Sequence, residues 1–204
     1  LKKLKHKIIL FDPARKHLSK INQYKKKVDL IFNALHGKDG EDGIAQSYFE
    51  YFKIPYTHSG IISSMNAMDK IISKKIFKKK DLLTPSFTCL NSVNYKKYLK
   101  IKFLKKSNFT YPMVVKPSNE GSSIGVEICK NFDQLQISVT KLIKNYKSLI
   151  VEPYIGGQEI QVAVINGKAL GAIELKPSRN FYDYKAKYFK TALTKHIMPA
   201  NINE

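Results

Sequence analysis

The 204-residue chain has no tryptophan, only two cysteines and only two arginines, and it sets 16 acidic side chains against 36 basic ones. Each shortage excludes something. Cys89 and Cys129 stand apart, with neither a CxxC pair nor a histidine at zinc-ligand spacing, which argues against a disulfide framework or a structural metal. Arg15 and Arg179 leave 36 − 2 = 34 lysines, whereas bidentate phosphate and guanine contacts favour the arginine fork. The lysines are spread thinly, and their densest stretch, 70–106, is interrupted by apolar residues at helical spacing. They read as a solvated surface ahead of a nucleic-acid footprint. No apolar run approaches the ~18 to 20 residues a membrane helix needs. The start, LKKLKHKIIL, lacks a small-residue cleavage site and runs into Phe11-Asp12-Pro13, a turn signal, so secretion is not expected and a reducing cytoplasm fits best.

What is present is a chain that is 43% apolar with a net charge of +20. That is too apolar for a disordered basic tail and long enough to bury a core as one or two domains. Lys7-Ile8-Ile9-Leu10-Phe11 and Val28-Asp29-Leu30-Ile31-Phe32-Asn33-Ala34-Leu35 are short apolar runs that predict buried strands of a parallel sheet. The second runs into the glycine-punctuated loop His36-Gly37-Lys38-Asp39-Gly40-Glu41-Asp42-Gly43, then into a helical pattern over 44–52 with Asp42 as its expected N-cap. A loop in that position sits at the carboxyl end of a strand, where open α/β sheets bind ligands.

A second helical stretch is expected over 62–78, and Pro85 precedes a strand at 86–90. Next, a strand at 111–117, the small flexible tip Ser118-Asn119-Glu120-Gly121-Ser122-Ser123 and a strand at 124–128 predict a hairpin. Asn131 or Asp133 should cap a helix reaching about residue 145, followed by a strand at 148–152. Alternating strands at 159–165 and 169–175 flank Asn166-Gly167, a two-residue hairpin signal. Phe181-Tyr182-Asp183-Tyr184-Lys185-Ala186-Lys187-Tyr188 has no clean period and reads as a loop.

Three constellations could carry chemistry. Gly121-Ser122-Ser123 offers backbone N–H groups and two hydroxyls to a phosphate that Lys116 could also reach, though the same residues suit a solvent hairpin beside a surface lysine. His36 and Glu41 share one loop and could hold a small zwitterion at a helix N-terminus, or serve only as a loop histidine and a capping glutamate. Glu152 and Glu159 straddle Gly156-Gly157, where a carboxylate could accept from ribose hydroxyls or simply face solvent.

In their order along the chain, the 36–43 loop, Tyr56-Thr57-His58-Ser59-Gly60, Met68-Asp69-Lys70, the stretch from Val115 through Lys116 and Ser122 to Gly125, and the 181–188 block resemble the signature blocks of D-alanine:D-alanine ligases, an ATP-grasp family of peptidoglycan synthesis. The resemblance implies an α/β fold: a Rossmann-like parallel-sheet substrate domain at 1–58, a central ATP-grasp subdomain at 59–152 and the start of a third at 153–204. It implies an ATP-dependent ligation in which one D-alanine carboxylate is phosphorylated and the amine of a second attacks the acyl phosphate. Lys70 and Lys116 would contact nucleotide phosphates, with Glu120, Gly121, Ser122 and Ser123 folding over them. The backbone of Glu152, Pro153, Tyr154 and Ile155 would meet adenine, and Glu159 the ribose. His36, Glu41 and Tyr182 would face substrate. Ser122 and Tyr188 would join a hydrogen-bonded group around it, with Lys187 at the γ-phosphate.

The family also uses Mg²⁺ ligands and an arginine beyond the 181–188 block, and a glutamate on an N-terminal strand-to-helix loop that completes the Ser122 and Tyr188 group. Neither segment is found in this sequence, so the expectation is a ligase lacking both ends, with no metal ligand of its own, and inactive alone. The implied partners are D-alanine and ATP, with no nucleic acid and no membrane, and a homodimer is left open. A D-alanine:D-lactate or D-alanine:D-serine ligase of the same fold, or a nonenzymatic lysine-rich nucleic-acid-binding protein, are the alternatives.

Overall fold

The computed structural model describes residues 1–100, 110–178 and 193–202. The fold is mixed α/β and divides into two compact units, 1–76 and 77–204.

The first unit is built around Leu18, Ile21, Ala45, Phe49 and Ile54, with Phe11, Val28, Ile31, Leu35 and Tyr56 packed against them. Its regular elements are a 3-10 turn at Leu18–Tyr24, helix α1 (Ile44–Tyr51), helix α2 (Ile61–Met68) and the start of helix α3 (Lys70–Lys79). The parallel pairing expected of 28–35 shrinks to one bridge between Ile31 and Tyr56, and 7–11 forms no strand. The reason is local. Ile31 N–H donates to Pro55 O and Thr57 N–H to Ile31 O, but Pro55 has no N–H with which to extend the ladder backward. Forward, the Thr57 hydroxyl takes the Asn33 N–H at 3.0 Å, and His58, at φ +81°, turns the chain away.

The helix expected over 62–78 is two helices. Asp69 sits at φ −79°, ψ 104° between them, and its Oδ1 accepts the N–H groups of Ile71 (2.8 Å) and Ile72 (3.1 Å). A short carboxylate that satisfies the orphan donors of a new helix ends the old one. Ser73 Oγ closes the join by donating to Asn66 O at 2.7 Å.

The second unit holds an antiparallel sheet in the order β1-β4-β2-β3: β1 (Thr88–Asn91), β2 (Met113–Pro117), β3 (Glu127–Cys129) and β4 (Ser148–Pro153). A one-turn helix α4 (Tyr95–Tyr98) follows β1. Helix α5 (Phe132–Leu142) is capped by Asn131, whose Oδ1 accepts the Gln134 N–H at 3.0 Å, while Gln134 returns a bond to Lys130 N–H at 2.8 Å. Met113, Val115, Cys129, Leu149 and Val151 point one way off the sheet and pack with Leu135, Val139 and Leu142 of α5. Strand side chains alternate in direction, so Val114 and Lys116 of β2 and Ile150 and Glu152 of β4 share the opposite face. A second sheet runs β5-β6-β7: β5 (Glu159–Ile165), β6 (Lys168–Lys176) and β7 (Lys195–Ile197). Asn166 (φ +50°) and Gly167 (φ +75°) join β5 to β6 as the expected two-residue turn.

Candidate functional site

In the first unit the loop after the Ile31–Tyr56 bridge is folded tightly on itself. Gly37 N–H donates to the Glu41 carboxylate, Glu41 N–H returns to Gly37 O at 2.9 Å, and Glu41 Oε1 lies 3.9 Å from His36 Nδ1. Both side chains face solvent, so the loop presents an imidazole and a carboxylate side by side. Asp42 does not occupy the N-cap position of α1, which belongs to Gly43 with no side-chain cap. The Asp42 carboxylate accepts from Asp39 N–H (2.9 Å), which braces the loop, and from the N–H of Ile44 (3.2 Å), the first residue of α1. Gly40 is required by space, since a Cβ there would lie 2.3 Å from Leu35 Cβ.

In the second unit Lys116 and Glu152 form an ion pair across the β2–β4 ladder, on the face turned away from α5. Their side chains are 22% and 8% exposed, so the charges are held largely out of water. The β2–β3 connection that carries Glu120, Gly121, Ser122 and Ser123 is half-buried, with Ser122 at φ +52° and Ser123 at φ +60°. Its roots are fixed: buried Ser118 bonds the Ser148 hydroxyl, and Gly125 sits where a Cβ would meet Pro117 Cγ at 2.8 Å. The β1–β4 ladder ends at the Thr88–Val151 pair, and the β4 chain continues through Glu152, Pro153, Tyr154 and Ile155, with Tyr154 N–H on Pro112 O at 2.9 Å. Glu159 opens β5 and is exposed.

The structure therefore brings His36 to Glu41, and Lys116 to Glu152. Lys70 is the first residue of α3, half-buried. Tyr182, Lys187 and Tyr188 lie outside the described residues. Sequence reasoning missed Asn33, Gln46 and Thr57, which hold the 36–43 loop and its neighbour. A polar residue inside the apolar run Leu30-Ile31-Phe32-Asn33-Ala34-Leu35, and a glutamine on the buried side of α1 between Ala45 and Phe49, were the available signals.

Among the titrating groups described, Tyr56 is pushed up to about 12 by burial and by donating its hydroxyl to Glu50 Oε1 at 2.7 Å. Burial also raises the Cys129 thiol, which the Ser138 hydroxyl partly offsets. Cys89 and Cys129 are both thiols, not a disulfide.

An antiparallel sheet backed by a helix, with a lysine on its opposite face and a small-residue loop rooted beside it, fits part of an ATP-grasp fold. The match to known proteins narrows this. The family models described as "D-ala D-ala ligase N-terminus" and "D-ala D-ala ligase C-terminus" match residues 11–59 and 76–204, and the chain belongs to the D-alanine–D-alanine ligase family. It is 50% identical over 199 residues to the D-alanine–D-alanine ligase of Pelagibacter ubique, covering 98% of this chain and 64% of that protein. It is 38% identical to the Thermotoga maritima ligase, covering 100% and 64%. The chain thus spans less than two thirds of the length of these relatives. Among solved structures it is similar to the D-alanine–D-alanine ligase of Bacillus anthracis complexed with ATP, with a TM-score of 0.76 and 29% identity over 98% of this chain and 62% of that one. It is also similar to the VanG D-Ala:D-Ser ligase of Enterococcus faecalis, with a TM-score of 0.71 and 32% identity over 87% and 51%.

Proposed function

We propose that this chain carries the substrate loop and the nucleotide sheet of an ATP-dependent D-alanine:D-alanine ligase that acts in the cytoplasm for peptidoglycan synthesis. The observation that carries the reading is the presence, on one chain of this family, of both the His36–Glu41 loop and the Lys116–Glu152 sheet face. We assign the domains as 1–58, 59–152 and 153–204.

A carboxylate is a poor electrophile at neutral pH, and ATP supplies the phosphoryl group that converts it to a mixed anhydride. The chain's own residues bind, orient and shield. Glu41 receives the ammonium of the first D-alanine, and His36 beside it orients the amino acid. Lys116 reaches a phosphate while staying beside Glu152, so that neither largely buried charge is left without its counter-ion. Lys70 adds a second cation. Glu120, Gly121, Ser122 and Ser123 close over the phosphates, the positive φ of both serines tightening the backbone toward an anion. Peptide groups alternate in direction along extended chain, so with Tyr154 N–H on Pro112 the flanking peptides of Pro153 and Ile155 turn outward to an adenine edge. Glu159 takes the ribose, Tyr182 faces substrate, Ser122 and Tyr188 join a hydrogen-bonded group around it, and Lys187 serves the γ-phosphate, with water excluded.

Mg²⁺ fits differently. Among the described residues no group of three or more His, Cys, Asp and Glu side chains could hold a metal ion. Nor is any helix among them long and apolar enough to cross a membrane.

The test is ADP release by the full-length gene product with ATP, Mg²⁺ and D-alanine; release that D-alanine does not stimulate refutes the reading. The likeness to VanG makes D-serine the second acceptor to compare, and D-lactate the third.

A further inference from the structure

The 36–43 loop is held from beneath by two buried amides that converge on one oxygen. Asn33 Nδ2 donates to Gly40 O at 3.0 Å, and Gln46 Nε2 donates to the same oxygen at 2.9 Å. Asn33 is 7% exposed, Gln46 1%, and Gly40 is buried between them. Asn33 uses both ends of its amide and its backbone N–H: Oδ1 accepts the Leu35 N–H at 3.1 Å, and its own N–H goes to Thr57 Oγ1. Gln46 does not. Its Oε1 is fully buried without a hydrogen-bond partner among the described residues. Turning the amide over would set Oε1 against the Gly40 oxygen, so the orientation is fixed by chemistry. A buried oxygen without a protein partner is costly, and an apolar side chain of the same size would avoid that cost. The glutamine is therefore retained for what its N–H holds. What it holds is the middle of the loop: Gly40 lies between the turn closed by Gly37 and Glu41 and the Asp39 carbonyl, which accepts the Ala45 N–H at 2.9 Å.

We propose that Asn33 and Gln46 are positioning residues that act through the Gly40 carbonyl to fix His36 and Glu41 in the geometry that receives D-alanine. This rests on the reading of His36 and Glu41 as substrate residues. Neither amide touches substrate. Asn33 also ties the loop to the next one, because Thr57, having accepted from Asn33, has its hydroxyl hydrogen free for His58 Nδ1 at 2.9 Å.

Two measurements test it. On the 204-residue chain, amide hydrogen exchange in the Gln46→Met variant should rise about tenfold at Gly37 and Ala45, the cost of one lost bond to a buried carbonyl, with Thr57 and Ile54 unchanged. A uniform rise through residues 1–76, or none, overturns the proposal. In the full-length gene product, Gln46→Met should raise KM for D-alanine about tenfold with KM for ATP and kcat within about twofold. Gln46→Glu is the sharper variant. Protonated, its carboxyl can donate to Gly40; ionised, it cannot. It should match wild type near pH 6 and approach Gln46→Met as pH rises, and a profile parallel to that of Gln46→Met refutes the clamp. Both variants share His36, Glu41 and Asp42, so titration of those groups cancels between them. Asn33→Asp, which keeps the acceptor for Leu35, should raise the D-alanine KM in the same direction, and an unchanged KM counts against the role of Asn33. Should His36→Ala and Glu41→Gln leave the D-alanine KM unaltered, the substrate reading fails while the exchange data still judge the clamp.

Discussion

Removing Lys116 tests how the face shared by β2 and β4 is held. Glu152 keeps a side chain only 8% exposed, paired with a lysine only 22% exposed, so Lys116→Met deletes the cation and leaves the carboxylate in place. Removing the cation from a largely buried pair costs about 3 kcal/mol, whereas the intact pair itself contributes little beyond a well-packed apolar substitute. Methionine fills most of the volume, so the loss is electrostatic. The double variant Lys116→Met/Glu152→Gln removes both charges and should recover about 2 kcal/mol of that loss. Native-state amide exchange at Val115 and Val151, central in β2 and β4, reads the stability of this sheet apart from the first unit. An exchange rate about 100-fold faster in Lys116→Met, and largely restored in the double variant, is the expected result. Rates within twofold of wild type in the single variant, or no recovery in the double, would show that the pair does not hold the face and that Lys116 needs no partner.

Gly40→Ala should destabilise the first unit by about 2 to 3 kcal/mol in urea unfolding, because its Cβ would lie 2.3 Å from Leu35 Cβ. Gly37→Ala, with nothing within 4 Å but φ +72°, should cost only about 1 kcal/mol. Tyr56 holds its proton to about pH 12 in the folded chain against 10.0 for an unperturbed tyrosine, so its contribution is complete below pH 10 and disappears as pH rises toward 12. The stability advantage of wild type over Tyr56→Phe, measured by urea unfolding across that range, should vanish at the upper end; an advantage that persists there refutes the Glu50 bond. Asn131→Ala should cost about 1 kcal/mol at the start of α5, seen as faster exchange at Gln134 and Leu135.

Local signals were legible wherever the chain closes on itself within a few residues. Asn166-Gly167 turns as expected because both positions adopt positive φ, and Asn131 caps α5 because its side chain reaches Gln134 three residues on. His36 and Glu41 meet for the same reason, being in one short loop. The signals failed where two local options compete. Asp69 reads as a helix interior by periodicity, yet its carboxylate serves Ile71 and Ile72 better than the backbone of α2 does. The apolar run at 28–35 reads as a strand, yet Leu30 and Phe32 are exposed, and Pro55 and Thr57 restrict the ladder to one bridge.

By itself, the sequence determined the order of the family's blocks, the turns and caps, and the residue types that can hold a phosphate or a zwitterion, because those depend on spacings of a few residues. Tertiary structure decided the pairings between distant segments. Lys116 meets Glu152 only because the β2–β4 register sets Val114 opposite Glu152, and Gly40 is gripped only because α1 returns Gln46 to the carbonyl that Asn33 already holds. Shifting a strand by one residue turns every side chain to the other face, so a register formed at a distance cannot be read from either segment alone.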